Sequence, residues 1–234
     1  MPGRRYDRWF FSISTALMFV FIFIGFAPTY YLAGLTNAPL PSRIVHFHGA
    51  VFSLWMILLV VQTSLVATRR VQIHRQLGVA GFLLALAMLV LGLAAAANAL
   101  GRQSSPRALD PKVFFVVPVF DILIFGTLIL FAFLKRNDAA AHKRLILIAT
   151  TALLTAGTAR WRIAPVFNNV FLAMTLTYIF PVALMIYDFW STGRVQRVTI
   201  WATVFLVAAQ WLRFPLAQTH AWNAFASWVQ SLAR

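Results

Sequence analysis

Few groups in this chain could do chemistry, and three of its five histidines fall in one stretch, from Ile44 to Gly78. Within it, His48, Trp55 and Gln62 are spaced by sevens, so a helix would place them on nearly one face, with Phe52 and Leu59 filling the same stripe. His46 lies roughly 200° around that helix from His48, so the two cannot serve one site. A polar stripe in an apolar helix should face protein, because lipid offers no hydrogen-bond partner. His48 and Gln62 are therefore either a buried site or interhelical glue. The stretch ends in His74-Arg75-Gln76-Leu77-Gly78, and a similar run, His142-Lys143-Arg144-Leu145, follows 68 positions after it. Each follows a basic loop and opens an apolar run, as in a degenerate internal repeat.

These histidines admit only some pairings. His48 and His74 stand roughly 39 Å apart along a helix and cannot share a metal. A bis-histidine site must pair His74 with His142, or His48 with His220 or a non-histidine ligand. His74 and His142 could ligate a haem b iron from both sides, with Arg75, Lys143 and Arg144 near its propionates, or could work beside a quinone. As loop residues they could equally snorkel among headgroups. Asp121 is a carboxylate inside an apolar run, which costs about 2.5–3.5 kcal/mol at a helix centre, so it needs a partner such as His48, Arg160 or Arg213. Tyr30, Tyr31, His46, His48, Arg160, Asn168, Gln210 and Arg213 fall at one membrane level; Tyr187 and Asp188 fall with His74 and His142 at the other.

The elements that must position these groups are apolar helices. With 61% hydrophobic residues and mean hydropathy +0.80, the chain reads as one all-α integral membrane bundle, a single domain over residues 1–234. Seven runs predict spans at about 9–32, 44–67, 77–100, 113–134, 145–161, 169–190 and 198–214. Pro181 should kink the sixth, and the seventh should stop before Pro215. The first run is too long for a cleaved signal and lacks a cleavage site. Trp222, Phe225, Val229 and Leu232 repeat at helical spacing, which predicts an amphipathic surface helix over about 218–233. With the N-terminus inside, twelve of the 20 Lys and Arg fall at inner segments and eight at outer ones. That sets the N-terminus in and the C-terminus out.

Several classes are excluded. The chain has no cysteine, hence no disulfide, thiolate metal site or Cys-x-x-Cys-His haem attachment. No Gly-x-Ser-x-Gly, His-Glu-x-x-His or phosphate loop is present, so no catalytic residue is assigned. The net charge of +15 is spread over every loop, which points to anionic lipid headgroups rather than nucleic acid.

The pattern His48-Gly49, Gln62, Arg69-Arg70, His74-Arg75-x-Leu-Gly78 resembles a family of uncharacterised multi-spanning bacterial membrane proteins, over about residues 44–100. The resemblance implies a multi-pass protein of the bacterial inner membrane and brings no activity with it. The layout is also similar to the six-helix b-type cytochromes, though without two histidine pairs at matching depths. The leading expectation is a redox-related membrane protein that holds haem b or works beside a quinone. The alternatives are a carrier or channel lined by Asp121, Gln62, His48 and the kinked sixth helix, or a lipid-interacting assembly subunit or partner of another membrane protein.

Overall fold

A computed structural model describes residues 3–39, 41–105 and 109–233, with side chains from residue 6 onward. Arg4, Arg5, Arg107 and Arg234, which enter the charge count, lie outside the described side chains. The described residues form helices and connections, with no strand among them. In order these are α1 (Gly3–Phe26), continued by a π-helical turn Ala27–Tyr31, α2 (Ala33–Thr36), α3 (Arg43–Ala67), α4 (Val71–Gly101), α5 (Pro111–Leu134), α6 (Ala139–Thr158), α7 (Val170–Thr177), α8 (Ile179–Thr192), α9 (Arg197–Ala217) and α10 (His220–Leu232).

Six helices are long and apolar enough to cross a membrane: 6–31, α3, α4, α5, the α7–α8 pair and α9. They close into a ring in which α1 packs on α3, α3 on α4, α4 on α5, α5 on α9, α9 on α8 and α8 on α1. The expected fifth span, α6, is not one of the six. It runs through the middle of the ring, touching α1, α5, α7, α8 and α9. From Leu145 to Thr158 it is buried almost throughout, including Thr150, Thr151, Thr155 and Thr158. A helix wrapped by other helices meets no lipid, so it can carry threonines and a charged first turn that a lipid-facing helix could not.

Helix starts depart from the sequence expectation most at three helices, while α6 stops at Thr158, short of the expected 161. α1, α4 and α6 begin about six residues earlier than their apolar runs, because a helix persists into polar sequence once water or headgroups solvate its side chains. Asp110 and Asp138 cap α5 and α6, their carboxylates accepting from Lys112 and Val113 N–H, and from Ala140 and Ala141 N–H. The sixth span is interrupted at Tyr178. Pro181 has no N–H to give the carbonyl of Thr177, and its ring crowds that carbonyl, so the helical ladder breaks next to it. The expectation that the seventh span stops before Pro215 is wrong: α9 runs through Pro215 to Ala217. The lost bond there falls in the last turn, on the exposed side, where it costs least.

The C-terminal helix packs on α4, α5 and α9. Its buried face is Trp222, Ala226 and Gln230, with Trp222 Nε1 donating to Lys112 O (2.9 Å) and Gln230 Nε2 to Leu100 O (3.2 Å). Of the expected stripe, Trp222 is buried while Phe225 and Leu232 are exposed.

Candidate functional site

At the end of the bundle that carries the N-terminus, the first turns of α4 and α6 lie side by side. They bring His74 and His142 together, ring centroids 6.5 Å apart and edge to face at 83°. Gln62, two turns from the end of α3, holds His74 in place. Oriented to satisfy both ends of its amide, it accepts from Gly78 N–H (3.1 Å) and donates to His74 Nδ1 (2.7 Å) and His74 O (3.3 Å). The amide therefore lies along one rung of the α4 ladder, and the Gln62–His74–Gly78 part of the motif is a single clasp. His142 is held differently, with Nδ1–H donating to Ala132 O at 2.8 Å.

With the Gln62 amide in this orientation, the two clasps favour opposite tautomers in neutral rings. His74 accepts at Nδ1, so as a neutral ring it carries its proton on Nε2. His142 donates from Nδ1, so its Nε2 keeps a lone pair. No direct hydrogen bond joins the rings, and the pair offers one donor and one acceptor between α4 and α6. A haem iron bound from both sides requires a lone pair from each imidazole. With its proton on Nε2, His74 offers no lone pair there, so this tautomer does not fit a bis-histidine haem b. Among the described residues, no three His, Cys, Asp or Glu side chains converge as a metal would require.

The propionate partners expected beside the histidines are also engaged elsewhere. Lys143 pairs with Asp7 (2.8 Å), which also accepts from Tyr187 Oη (2.7 Å). Arg144 donates from Nε (2.9 Å) and Nη2 (2.5 Å) to Asp188 Oδ1, while Asp188 Oδ2 accepts from Gln196 N–H (3.1 Å) and Thr199 Oγ1 (2.5 Å). One turn of α6 thus points His142 at α4 and α5, Lys143 at α1, and Arg144 at α8 and α9. Only Arg75 remains exposed near the pair. Asp7 was not singled out in the sequence; the signal was a lone acid among the N-terminal arginines.

The remaining candidates do not form one cluster. Trp55, central in the α3 stripe, is buried and donates from Nε1 to Thr150 Oγ1 (3.3 Å). His48 sits over Phe52 (centroids 4.1 Å), its Nδ1 buried with no hydrogen-bond partner among the described residues. Tyr30 lies against Gly49, where a β-carbon would stand 2.7 Å from the ring, and donates to His46 O (3.2 Å). Tyr31 and Ser53 share a hydroxyl bond of 2.8 Å. Gly49 is thus the approach point for a tyrosine, which accounts for the glycine after His48. Arg160 turns away, donating to Ala156 O (2.5 Å) and stacking on Phe26 (4.5 Å). Asp121 meets neither His48 nor Arg160. Its partners are Arg213 Nη1 (2.6 Å) and Gln210 Nε2 (3.1 Å), both on α9.

No protein-family model, curated protein or solved structure matches the chain.

Proposed function

We propose that the chain is a seven-span protein of the bacterial inner membrane, with its N-terminus in the cytoplasm, that binds a quinone-type headgroup at the His74–His142 pair. The observation that carries this reading is the pair of opposite tautomers. A quinone carbonyl accepts from His74 Nε2–H, and the hydroxyl of its reduced form donates to His142 Nε2. A single hydroxyl oxygen of the reduced form, accepting from His74 and donating to His142, satisfies both nitrogens. The expected haem b is not carried forward.

Two arrangements support the membrane reading. The ring of six apolar helices leaves α6 shielded, so its polarity is compatible with a seventh span. The histidine end also carries the exposed Arg69, Arg70, Arg75, Lys135, Arg136, Arg194 and Arg197, as a cytoplasmic face with anionic lipids would require. Reporter fusions at the two ends should read opposite sides; the same side at both would remove the seventh span.

The binding test uses the purified protein in lipid nanodiscs and a short-chain hydroquinone held reduced. Saturable binding is expected, with His74→Phe and His142→Phe each weakening it at least about tenfold, the worth of one well-placed hydrogen bond to a buried partner. Gln62→Leu, which frees His74 to change tautomer, should weaken it less. Binding within twofold of wild type in both histidine variants would sink the reading.

A further inference from the structure

The half of the bundle away from the N-terminus holds a second polar centre, built on α5, α7 and α9. Arg213 is 0% exposed, as is Gln210, and both meet Asp121 Oδ1. Arg213 also donates to Val117 O (3.2 Å) and reaches Met174 Sδ (3.5 Å). These contacts leave polar atoms over. Gln210 Oε1 and Arg213 Nε are buried with no hydrogen-bond partner among the described residues. The hydroxyl of Tyr178, at the break between α7 and α8, is also buried, beside Trp211 and with no hydrogen bond meeting geometric criteria among the described residues. It lies within electrostatic reach of both Arg213 and Asp121. Gln210 Oε1 and Arg213 Nε belong to the same planar amide and guanidinium that touch Asp121. Those two unpartnered atoms therefore belong to the groups that flank that carboxylate.

Leaving such atoms bare is expensive. Each buried, unsatisfied polar group carries its full desolvation penalty, and low-dielectric surroundings sharpen it. A buried water typically makes two to four hydrogen bonds to groups of this kind. Here one acceptor (Gln210 Oε1) and one donor (Arg213 Nε–H) lie on the groups that flank Asp121, with the Tyr178 hydroxyl in electrostatic reach. The span breaks at Tyr178, and irregular backbone at membrane depth occurs where it lines a wet or protein-filled space.

We propose that Asp121, Tyr178, Gln210 and Arg213 form an internal water-binding site inside the bundle. A wet ion pair differs functionally from a dry one. Water beside Asp121 can solvate Arg213 when the carboxylate takes up a proton, so the site can exchange protons without leaving a bare guanidinium.

Radiolytic hydroxyl labelling of the protein in nanodiscs tests this with an internal control. Met174 and Met88 are both 0% exposed, but Met174 touches Arg213 whereas Met88 lies in the apolar core. Radicals form from water, so Met174 and Tyr178 should oxidise about tenfold faster than Met88 if water sits among their neighbours. Gln210→Leu, and independently Tyr178→Phe, should bring Met174 toward the Met88 rate. Both variants must first elute and melt as folded protein. Wild-type Met174 reacting as slowly as Met88 overturns the site. Labelling unchanged in both variants also overturns it, since the water would then lie elsewhere.

Discussion

Asp188→Ala should be among the most destabilising single substitutions in the chain, lowering unfolding free energy in detergent by about 3–5 kcal/mol. The Arg144–Asp188 pair is almost fully buried, with side chains 4% and 0% exposed. The carboxylate satisfies four donors: two from Arg144, the Gln196 N–H and the Thr199 hydroxyl. Removing it strands the guanidinium inside the helix ring and uncaps the entrance to α9 together. Removing both charges in an Arg144→Leu, Asp188→Leu double variant should cost less than Asp188→Ala alone, because no buried charge is then left unpaired. Asp121→Ala should follow the same logic with a smaller loss. The Asp121 carboxylate accepts from two donors rather than four, and its side chain is 10% exposed. Substituting exposed Arg69 or Arg136 should change stability by no more than about 0.5 kcal/mol. Denaturant titrations followed by tryptophan emission measure all of these. An Asp188→Ala loss within that surface range would show that the pair does not hold α6 to α8 and α9.

The second large effect lies where α1 and α6 cross. A β-carbon at Gly25 would stand 2.1 Å from the carbonyl oxygen of Gly157 and 2.6 Å from its carbonyl carbon. The obstacle is backbone, so no rotamer change relieves it, and the two helices must separate. Gly25→Ala should cost at least about 3 kcal/mol, at or beyond the top of the usual overpacking range. The reverse substitution is predicted to be milder. A β-carbon at Gly157 first meets Ile22 Cδ1 at 3.0 Å, the far end of a side chain that can move, although Ile22 Cα follows at 3.1 Å. Gly34, with nothing within 4 Å, is the neutral control. The expected order of melting temperatures is Gly34→Ala, then Gly157→Ala, then Gly25→Ala lowest. Equal melting of the Gly25 and Gly34 variants would show that the helices do not approach this closely.

Much of the architecture was legible in the chain alone. Uninterrupted apolar runs mark α1, α3, α4, α5, the α7–α8 pair and α9, because a helix facing hydrocarbon must be apolar along its whole length. Sevenfold spacing marks the α3 face that carries Trp55 toward Thr150 and Gln62 toward His74. Pro181 marks the broken span. Where the chain is polar, the signal fails in two ways. Helix ends run on past the apolar sequence, as in α4 and α6, because headgroup water replaces the burial that the pattern detects. α6 is expected as a span from its apolar run over 145–161, yet with its polar first turn it is not among the six helices apolar enough to cross, and no local pattern records that its surroundings are other helices.

Partner choice was decided only by the tertiary structure. Periodicity tells which face of one helix is polar, but not which neighbour that face meets. Asp121 could have been matched to His48, Arg160 or Arg213 from sequence. The order of helices around α6 places α9 beside α5, so Arg213 and Gln210 reach the carboxylate while Arg160 folds back on Phe26. His142-Lys143-Arg144 reads as one basic cluster in the chain. In the fold its members diverge to a histidine and a carbonyl, to Asp7 and to Asp188, because successive residues of a helix point about 100° apart. Sequence supplied the polar groups and their heights in the bundle; helix order and rotation, set by contacts as close as Gly25 on Gly157, determined which of them meet.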